Sequence, residues 1–162
     1  MRVELNPGEM VIANVLATMR NAVSRGSGTK DAKIGKQSAL QTDLDGAVAE
    51  IAFAKAHNAY LDFSVCPRSG GHDLTVNGYR VDVKATRYQN GKLLAPMKKT
   101  VEDAQIYVLG IVNDHVVNFA GWAWATDFLV SENLKDLGYG PCYALDQDRL
   151  KRFTHVPKSK AT

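Results

Sequence analysis

Two aspartates and a lysine lie close together in residues 70–86, which read GGHDLTVNGYRVDVKAT. Asp73 precedes the dipeptide Asn77-Gly78, and Asp82 and Lys84 follow it. Asn-Gly between two β-rich runs is typical of a two-residue type I′ hairpin turn. The sequence therefore predicts a hairpin that brings acids from two strands together.

The predicted turn fixes which residues face each other across this hairpin. It pairs Val76 with Tyr79 and, further from the turn, Asp73 with Asp82. Side chains alternate between the two faces of a strand. One face then carries Leu74, Val76, Tyr79, Val81, Val83 and Ala85, and the other carries Asp73, Thr75, Arg80, Asp82, Lys84 and Thr86.

The predicted pair of aspartates needs compensation. Like charges directly opposite each other destabilise a sheet, and their Cβ atoms lie about 4.5–5.5 Å apart. Three arrangements would reduce the repulsion between the two carboxylates. One carboxyl group keeps its proton, Arg80 and Lys84 neutralise the pair, or a divalent cation bridges the two groups. Carboxylate oxygens suit Mg²⁺, which binds them at about 2.0–2.1 Å. A solvent-exposed hairpin face with salt bridges is the alternative interpretation.

Glu50 is a second unusual acid, because it lies in the middle of the apolar run GAVAEIAFAK. Burying a carboxylate costs several kcal/mol unless it is paired or bound to a metal. Glu50 is therefore a candidate site residue. The alternatives are a helix edge that faces water, or a salt bridge to Lys55 or Arg80.

Two helices are predicted before the hairpin. Residues 6–24 have Asn6 as N-cap, Pro7 at the first helical position and Glu9 reaching back to the cap. An apolar stripe on this helix predicts its buried face. A second helix is predicted over 45–58, capped by Asp45 and nearly fully buried against a sheet. The apolar stripe of the first helix, 6–24, consists of Val11, Ile12, Val15, Leu16, Met19 and Val23.

The remaining pattern predicts strands, with Asn113-Asp114 as a second hairpin turn and an irregular piece before residue 105. A short helix is expected within 122–135, and a last helical turn, capped by Asp146, over 147–153. We expect one α/β domain over 1–156, with a central mixed sheet of four to five strands flanked by helices, and a flexible tail over 157–162. The predicted strands are 60–65, 72–76, 79–86, 105–112 and 115–120.

The composition limits the class of protein. The chain has 162 residues, a net charge of +3 and a pI of about 8.8, which permits an anionic partner without requiring one. No run of about 18 apolar residues occurs, so no membrane span is expected. The sequence does not begin like a secretory signal peptide, and we expect a cytoplasmic protein.

The order of these acids resembles the PD-(D/E)XK nuclease superfamily. The resemblance covers about residues 43–120 and consists of Glu50 on a helix, Asp73 in GGHD, and Asp82-Val83-Lys84 in VDVKAT. Two departures are His72 in place of a proline before Asp73, and Asp82 in place of the commoner glutamate. The resemblance implies a restriction-endonuclease-like fold.

The resemblance also implies Mg²⁺-dependent hydrolysis of DNA phosphodiesters, with Mn²⁺ able to substitute. Asp73, Asp82 and the backbone carbonyl of Val83 would hold the metal, and Glu50 would complete its shell directly or through water. Lys84 would lie near the attacking water and the scissile phosphate. A small phage-type member is implied, hence the host cytoplasm. Because 162 residues leave little room for a separate specificity domain, we expect recognition to depend on a homodimer, a higher homo-oligomer or partners.

Several residues are candidates for contact with the nucleic-acid backbone. The glycine- and lysine-containing segment 25–43 is either a phosphate-contacting flap or a solvated surface loop. The other candidates lie before and after the catalytic strand. The candidate contacts are Lys30, Lys33, Lys36, Ser69, Thr86, Lys92, Lys98 and Lys99.

A non-catalytic nucleic-acid-binding module and a hydrolase of small phosphoesters are the alternative functions.

Overall fold

The computed structural model describes residues 1–26, 38–65 and 71–153. The predicted contacts Lys30, Lys33, Lys36 and Ser69, and the tail 157–162, lie outside these ranges. The helices are α1 (Pro7–Gly26), α2 (Ala39–His57) and α3 (Ala125–Phe128). The strands are β1 (Arg2–Glu4), β2 (Leu74–Val76), β3 (Tyr79–Thr86), β4 (Leu93–Pro96), β5 (Ile106–Asn113), β6 (Val116–Trp124), β7 (Leu134–Asp136) and β8 (Pro141–Leu145).

Five strands form the central sheet in the order β1-β6-β5-β3-β2. The β3–β5 pair is parallel and the other pairs are antiparallel, so the sheet is mixed. The predicted single-domain α/β class, with a mixed sheet flanked by helices, is confirmed. A second sheet of three antiparallel strands, β4-β8-β7, was not predicted.

The two faces of the central sheet bury different layers. Ile106 and Val108 of β5 pack with α1 and α2, whereas Tyr107 and Leu109 pack with α3 and the second sheet. This alternation follows from the two-residue period of a strand. Because both faces are covered, β5 is buried along almost its whole length.

The start of α1 agrees with the sequence. The backbone N–H of Asn6 donates to Glu9 Oε2 at 2.7 Å, and that of Glu9 donates to Asn6 Oδ1 at 2.9 Å. This reciprocal pair is the predicted capping box. The helix extends two residues beyond the predicted end, to Gly26.

The predicted buried stripe of α1 is right for Leu16 and wrong for most of its other members. Ala13, Leu16 and Ala17 are the buried residues, whereas much of the apolar stripe is 48–62% exposed. Ala13, Leu16 and Ala17 also have helical spacing, and their small side chains let α1 pack on the alanine-rich surface of α2. The exposed apolar residues are Val11, Ile12, Val15 and Met19.

The second helix begins six residues earlier than predicted. Ser38 is its N-cap, and the Ser38 hydroxyl accepts from the backbone N–H of Gln41 at 3.2 Å. Asp45 is therefore an interior residue and not a cap. It is 3% exposed, and Arg87 donates three hydrogen bonds of 2.8–3.0 Å to its carboxylate.

Several predicted strands and turns are corrected. Within 60–65 only Leu61 makes a β-bridge, to Leu74, because this segment lacks a continuous partner strand. The piece before residue 105 is not wholly irregular, since it contains β4. The second hairpin turn is Asp114-His115, one residue later than predicted.

The C-terminal predictions are partly right. The short helix within 122–135 is α3, followed by a 3-10 turn over Ser131–Asn133. The last helical turn is a 3-10 turn over Gln147–Arg149, and the Asp146 side chain makes no capping hydrogen bond to it. Within the described ranges, the helices are too short or too polar to cross a membrane.

Candidate functional site

The hairpin β2–β3 positions the first two candidate residues. The predicted register is confirmed for Leu74 with Val81, Thr75 with Arg80 and Val76 with Tyr79. Asn77 and Gly78 have φ of 50° and 83°, the left-handed conformation that a type I′ turn requires at both central positions.

Asp73 lies just before β2 rather than inside the ladder. Its backbone N–H donates to the Val81 carbonyl at 2.9 Å, which continues the hairpin by one bond. Its Oδ2 accepts a 2.7 Å hydrogen bond from the backbone N–H of Val83. The Asp73 carboxylate is thus held against β3, although the predicted strand pair with Asp82 is not formed.

Asp82 is a buried carboxylate between two lysines. It is 2% exposed, with Lys84 Nζ 2.5 Å from Oδ1 and Lys99 Nζ 2.9 Å from Oδ2. Lys84 pairs with Oδ1 and Lys99 pairs with Oδ2, so each oxygen of the buried carboxylate has one cationic partner. The predicted pairing with Lys84 is present, and Lys99 is a second partner that the hairpin alone did not indicate.

Tyr107 flanks Asp82 on the neighbouring strand. It is the residue of β5 that pairs with Asp82 in the parallel ladder. Its hydroxyl is buried and makes no hydrogen bond, and burial followed by the Asp82 charge raises its pKa. Tyr107 therefore stays neutral beside the acids.

Glu50 is buried but paired, at 6% exposure. Arg20 Nη1 donates to both of its carboxylate oxygens, at 3.0 and 2.8 Å. The predicted alternatives are wrong, because Lys55 Nζ binds Glu9 Oε2 at 2.8 Å and Arg80 donates to the Glu102 carbonyl. Arg20 reaches Glu50 because α1 packs along α2.

Arg20 is a site residue that the sequence analysis missed. The sequence contains a pattern that indicates its position. Ala13, Leu16, Ala17 and Arg20 follow each other at spacings of three, one and three along α1. Residues at such spacings lie on one helix face. The competing stripe of larger apolar residues concealed this face.

The candidate acids influence one another's charge. Burial, followed by the charge of Asp73, raises the pKa of Glu50 to about 8, and Arg20 opposes this. Burial, followed by the charge of Asp82, raises the pKa of Asp73 to about 6, and Lys84 opposes this. Asp73 at the sheet edge thus interacts electrostatically both with Glu50 of the helical layer and with Asp82 on β3.

Lys84 completes the cluster. Burial acts to lower its pKa, but the charges of Asp82, Asp73 and Glu50 outweigh burial and raise it. Lys84 is therefore protonated at neutral pH. The four residues expected from the sequence, Glu50, Asp73, Asp82 and Lys84, form one electrostatically coupled group.

The fit of a divalent cation depends on the available oxygens. In the described ranges, no set of three or more His, Cys, Asp or Glu side chains is arranged to hold a metal ion. Asp82 is a buried carboxylate that pairs with two lysines, and its charge raises the pKa of the neighbouring Asp73. Two carboxylates with a backbone carbonyl are a donor set that suits Mg²⁺. Glu50 is not free to join them while Arg20 holds both of its oxygens.

The predicted nucleic-acid contacts have different surroundings. Lys98 is exposed, and Lys92 forms an ion pair with Asp146. Thr86 is half-buried, and its hydroxyl accepts from the backbone N–H of Tyr88 at 3.2 Å. Lys99 lies in the acidic cluster itself.

Comparisons with protein-family models, with curated proteins and with solved structures found no match. The resemblance to the PD-(D/E)XK nucleases therefore depends on the residues described above.

Proposed function

We propose that this chain is a metal-dependent deoxyribonuclease that hydrolyses phosphodiester bonds with Mg²⁺, or with Mn²⁺ in its place. The observation that supports the proposal most directly is the coupling of Glu50, Asp73, Asp82 and Lys84 in one group. Such perturbed acids, close to a lysine, are typical of functional sites.

Asp73 and Asp82 would hold the cation, together with the backbone carbonyl of Val83. A bound Mg²⁺ would supply an acidified water and positive charge for the phosphodiester. A cation at Asp82 would have to take the place of an ammonium group, because Lys84 pairs with Oδ1 and Lys99 pairs with Oδ2.

Lys84, whose side chain is 29% exposed, supplies a fixed positive charge beside the buried Asp82. Its raised pKa favours the ammonium form, so it stabilises an anionic phosphate and orients a water rather than accepting a proton. Electrostatic stabilisation of developing charge is commonly the largest contribution to such reactions.

Glu50 has a different role while it is bound to Arg20. The guanidinium fixes both carboxylate oxygens, and the charge of Asp73 contributes to the raised pKa of Glu50. Glu50 would approach the cation through water, or after its release from Arg20. This role is an indirect one, in contrast to those of Asp73 and Asp82.

The proposal also covers the substrate, the cellular location of the protein and its oligomeric state. A net charge of +3 and the exposed Lys98 favour a polyanion, and DNA is the proposed substrate. The proposed location is the cytoplasm, or the host cytoplasm for a phage protein. A homodimer or a higher homo-oligomer stays a prediction.

The proposal is tested by titrating Mg²⁺ against supercoiled, linear and single-stranded DNA. We expect cleavage that EDTA abolishes and that Asp82→Asn reduces at least about 100-fold. Asp148→Asn, which neutralises an exposed aspartate, is the matched control and should cleave normally.

Two outcomes would contradict the proposal. Binding of DNA with no cleavage at any Mg²⁺ or Mn²⁺ concentration would favour the non-catalytic binding module. Hydrolysis of a small phosphodiester with no cleavage of DNA would favour the small-molecule hydrolase.

A further inference from the structure

Lys99 contacts the centre of the acidic cluster from outside the hairpin. Its Nζ lies 2.9 Å from Asp82 Oδ2 and donates to the Gly71 carbonyl at 2.9 Å. Its side chain is only 16% exposed, so the ammonium is largely removed from water. The Lys99 ammonium has therefore lost most of its contact with water and interacts with two protein oxygens instead.

The loop that carries Lys99 has a defined conformation. The backbone N–H of Lys99 donates to the Pro96 carbonyl at 3.0 Å, which turns the chain after β4. The backbone N–H and hydroxyl of Thr100 both donate to Asp103 Oδ2, at 2.7 and 3.1 Å. Lys99 is therefore presented by a structured turn.

This loop is also joined to the segment that precedes Asp73. A Cβ built on Gly71 would lie 2.3 Å from the carbonyl oxygen of Asp103, so the two backbones meet at a distance that only glycine permits. Arg80 donates to the Glu102 carbonyl at 3.2 Å and strengthens the junction. This junction holds the loop in a position from which the Lys99 ammonium contacts Asp82.

The two lysines on Asp82 are not equivalent. Lys84 belongs to the same strand and lies two residues further on, so its position follows from the register of β3. Lys99 comes from a loop and neutralises the second carboxylate oxygen. Asp82 alone carries a single negative charge against two ammonium groups, and this local excess of positive charge is offset only by Asp73 and Glu50, whose charges act on Lys84.

That excess would oppose the binding of a divalent cation. A cation on Asp82 would lie close to two ammonium groups, and like charges at such short range repel strongly where water is scarce. Lys84 is held among three acids, whereas Lys99 has one acid and one neutral carbonyl as partners. Lys99 is therefore the lysine that can leave at lower cost.

We propose that Lys99 is a stand-in cation, which neutralises Asp82 in the metal-free protein and leaves Asp82 when a divalent cation binds. The inference depends on the proposed function, because it assumes that Asp82 is a metal ligand. The displaced ammonium then becomes available to a phosphate of the nucleic-acid backbone. Lys99 would thus make metal binding and substrate binding favour each other.

Calorimetry with Mn²⁺ alone, in the absence of DNA, tests this inference. We expect Lys99→Met to bind Mn²⁺ about tenfold more tightly than the parent, because no ammonium competes for Asp82. Lys99→Arg keeps a cation and should bind Mn²⁺ like the parent. Lys135→Met removes an exposed lysine that pairs with Asp146, outside the acidic cluster, and should also bind normally.

Thermal unfolding checks that the variants are folded and gives a second readout. In EDTA, Lys99→Met should unfold at a lower temperature than Lys135→Met, because Asp82 has lost one of its two partners. Mn²⁺ should raise the unfolding temperature of Lys99→Met more than that of the parent, as tighter binding to the folded state requires.

The outcomes separate this inference from the proposed function. Equal or weaker Mn²⁺ binding by Lys99→Met, with normal binding by the parent, overturns the role of Lys99 and leaves the nuclease proposal standing. Absence of Mn²⁺ binding in the parent, in Lys99→Met and in Asp82→Asn alike overturns both.

Discussion

Glu50 and Arg20 illustrate how a single buried charge depends on one partner. The Arg20 guanidinium supplies both hydrogen bonds that the structure gives to the Glu50 carboxylate. Removing one member of a buried ion pair commonly costs about 3–5 kcal/mol, because the other charge stays buried without compensation. The stability of the helical layer therefore depends on Arg20 more than on a typical surface arginine.

We predict that Arg20→Met lowers the free energy of unfolding by about 3 kcal/mol in urea denaturation at about pH 9, where Glu50, with its pKa of about 8, is charged. The double variant Arg20→Met/Glu50→Gln should recover much of this loss, since the buried charge is then absent. Arg25→Met, at the exposed end of the same helix, is the control and should change stability by less than about 0.5 kcal/mol. Equal losses for Arg20→Met and Arg25→Met would contradict the assignment.

The residues of the site were accessible to sequence reasoning to different degrees. Asp73, Asp82 and Lys84 follow from one local turn, and Glu50 stands out as an acid in an apolar helix. Arg20 could not be found in the same way, because its partner lies 30 residues away in another helix. Pairings of this kind depend on how two elements pack.

At the scale of elements, local signals predicted structure better than side-chain patterns did. The capping box of α1 and the register of β2–β3 involve residues a few positions apart, and both were correct. The buried face of α1 and the second sheet depend on contacts distant in sequence, and neither was predicted correctly. In α1, the close approach of alanines to α2 prevailed over the burial of larger residues.

The junction between Gly71 and the loop before β5 gives a prediction at this scale. We expect Gly71→Ala to destabilise the protein by about 1–3 kcal/mol, because the new methyl group overlaps the Asp103 backbone. Gly26→Ala, at the end of α1 where a Cβ meets no other atom, is the control and should be neutral or slightly stabilising. Urea denaturation of both variants measures the difference, and equal stabilities would show that the backbones do not meet closely.

At the scale of the whole molecule, the buried acids make stability depend on pH. The pKa values of Glu50 and Asp73 in the folded protein, about 8 and about 6, lie above their ordinary values of 4.5 and 3.8. The folded state therefore holds protons that the unfolded state releases. Their stabilising contribution is fully present below about pH 4 and is lost as the pH rises through about 6 and about 8.

We predict that the free energy of unfolding in EDTA falls between about pH 4 and about pH 8. Glu50→Gln should flatten the upper part of this decrease, because its amide does not titrate. Urea denaturation across this range measures the effect. A stability that rises steadily to pH 9, or an unchanged profile in Glu50→Gln, would contradict the pKa assignment.

The proposed contact between lysines and the nucleic-acid backbone predicts a dependence on salt. The logarithm of DNA affinity should fall linearly with the logarithm of salt concentration, since each neutralised phosphate releases counterions. Lys98→Ala should reduce the slope by about 1 if Lys98 contacts one phosphate. Lys135→Ala, an exposed lysine paired with Asp146, is the control. Fluorescence anisotropy in Ca²⁺ measures both slopes, and identical slopes for parent and Lys98→Ala would exclude this contact.

The central claim, that the coupled acids and Lys84 form a nuclease site, is tested most directly by the single-turnover rate of Mg²⁺-dependent cleavage of a labelled DNA duplex. We predict that Lys84→Met lowers this rate at least about 100-fold, because the charge beside the phosphate is lost. Lys135→Met should cleave at the parental rate. Cleavage by Lys84→Met as fast as by the parent, in a preparation free of contaminating nuclease, would contradict the account.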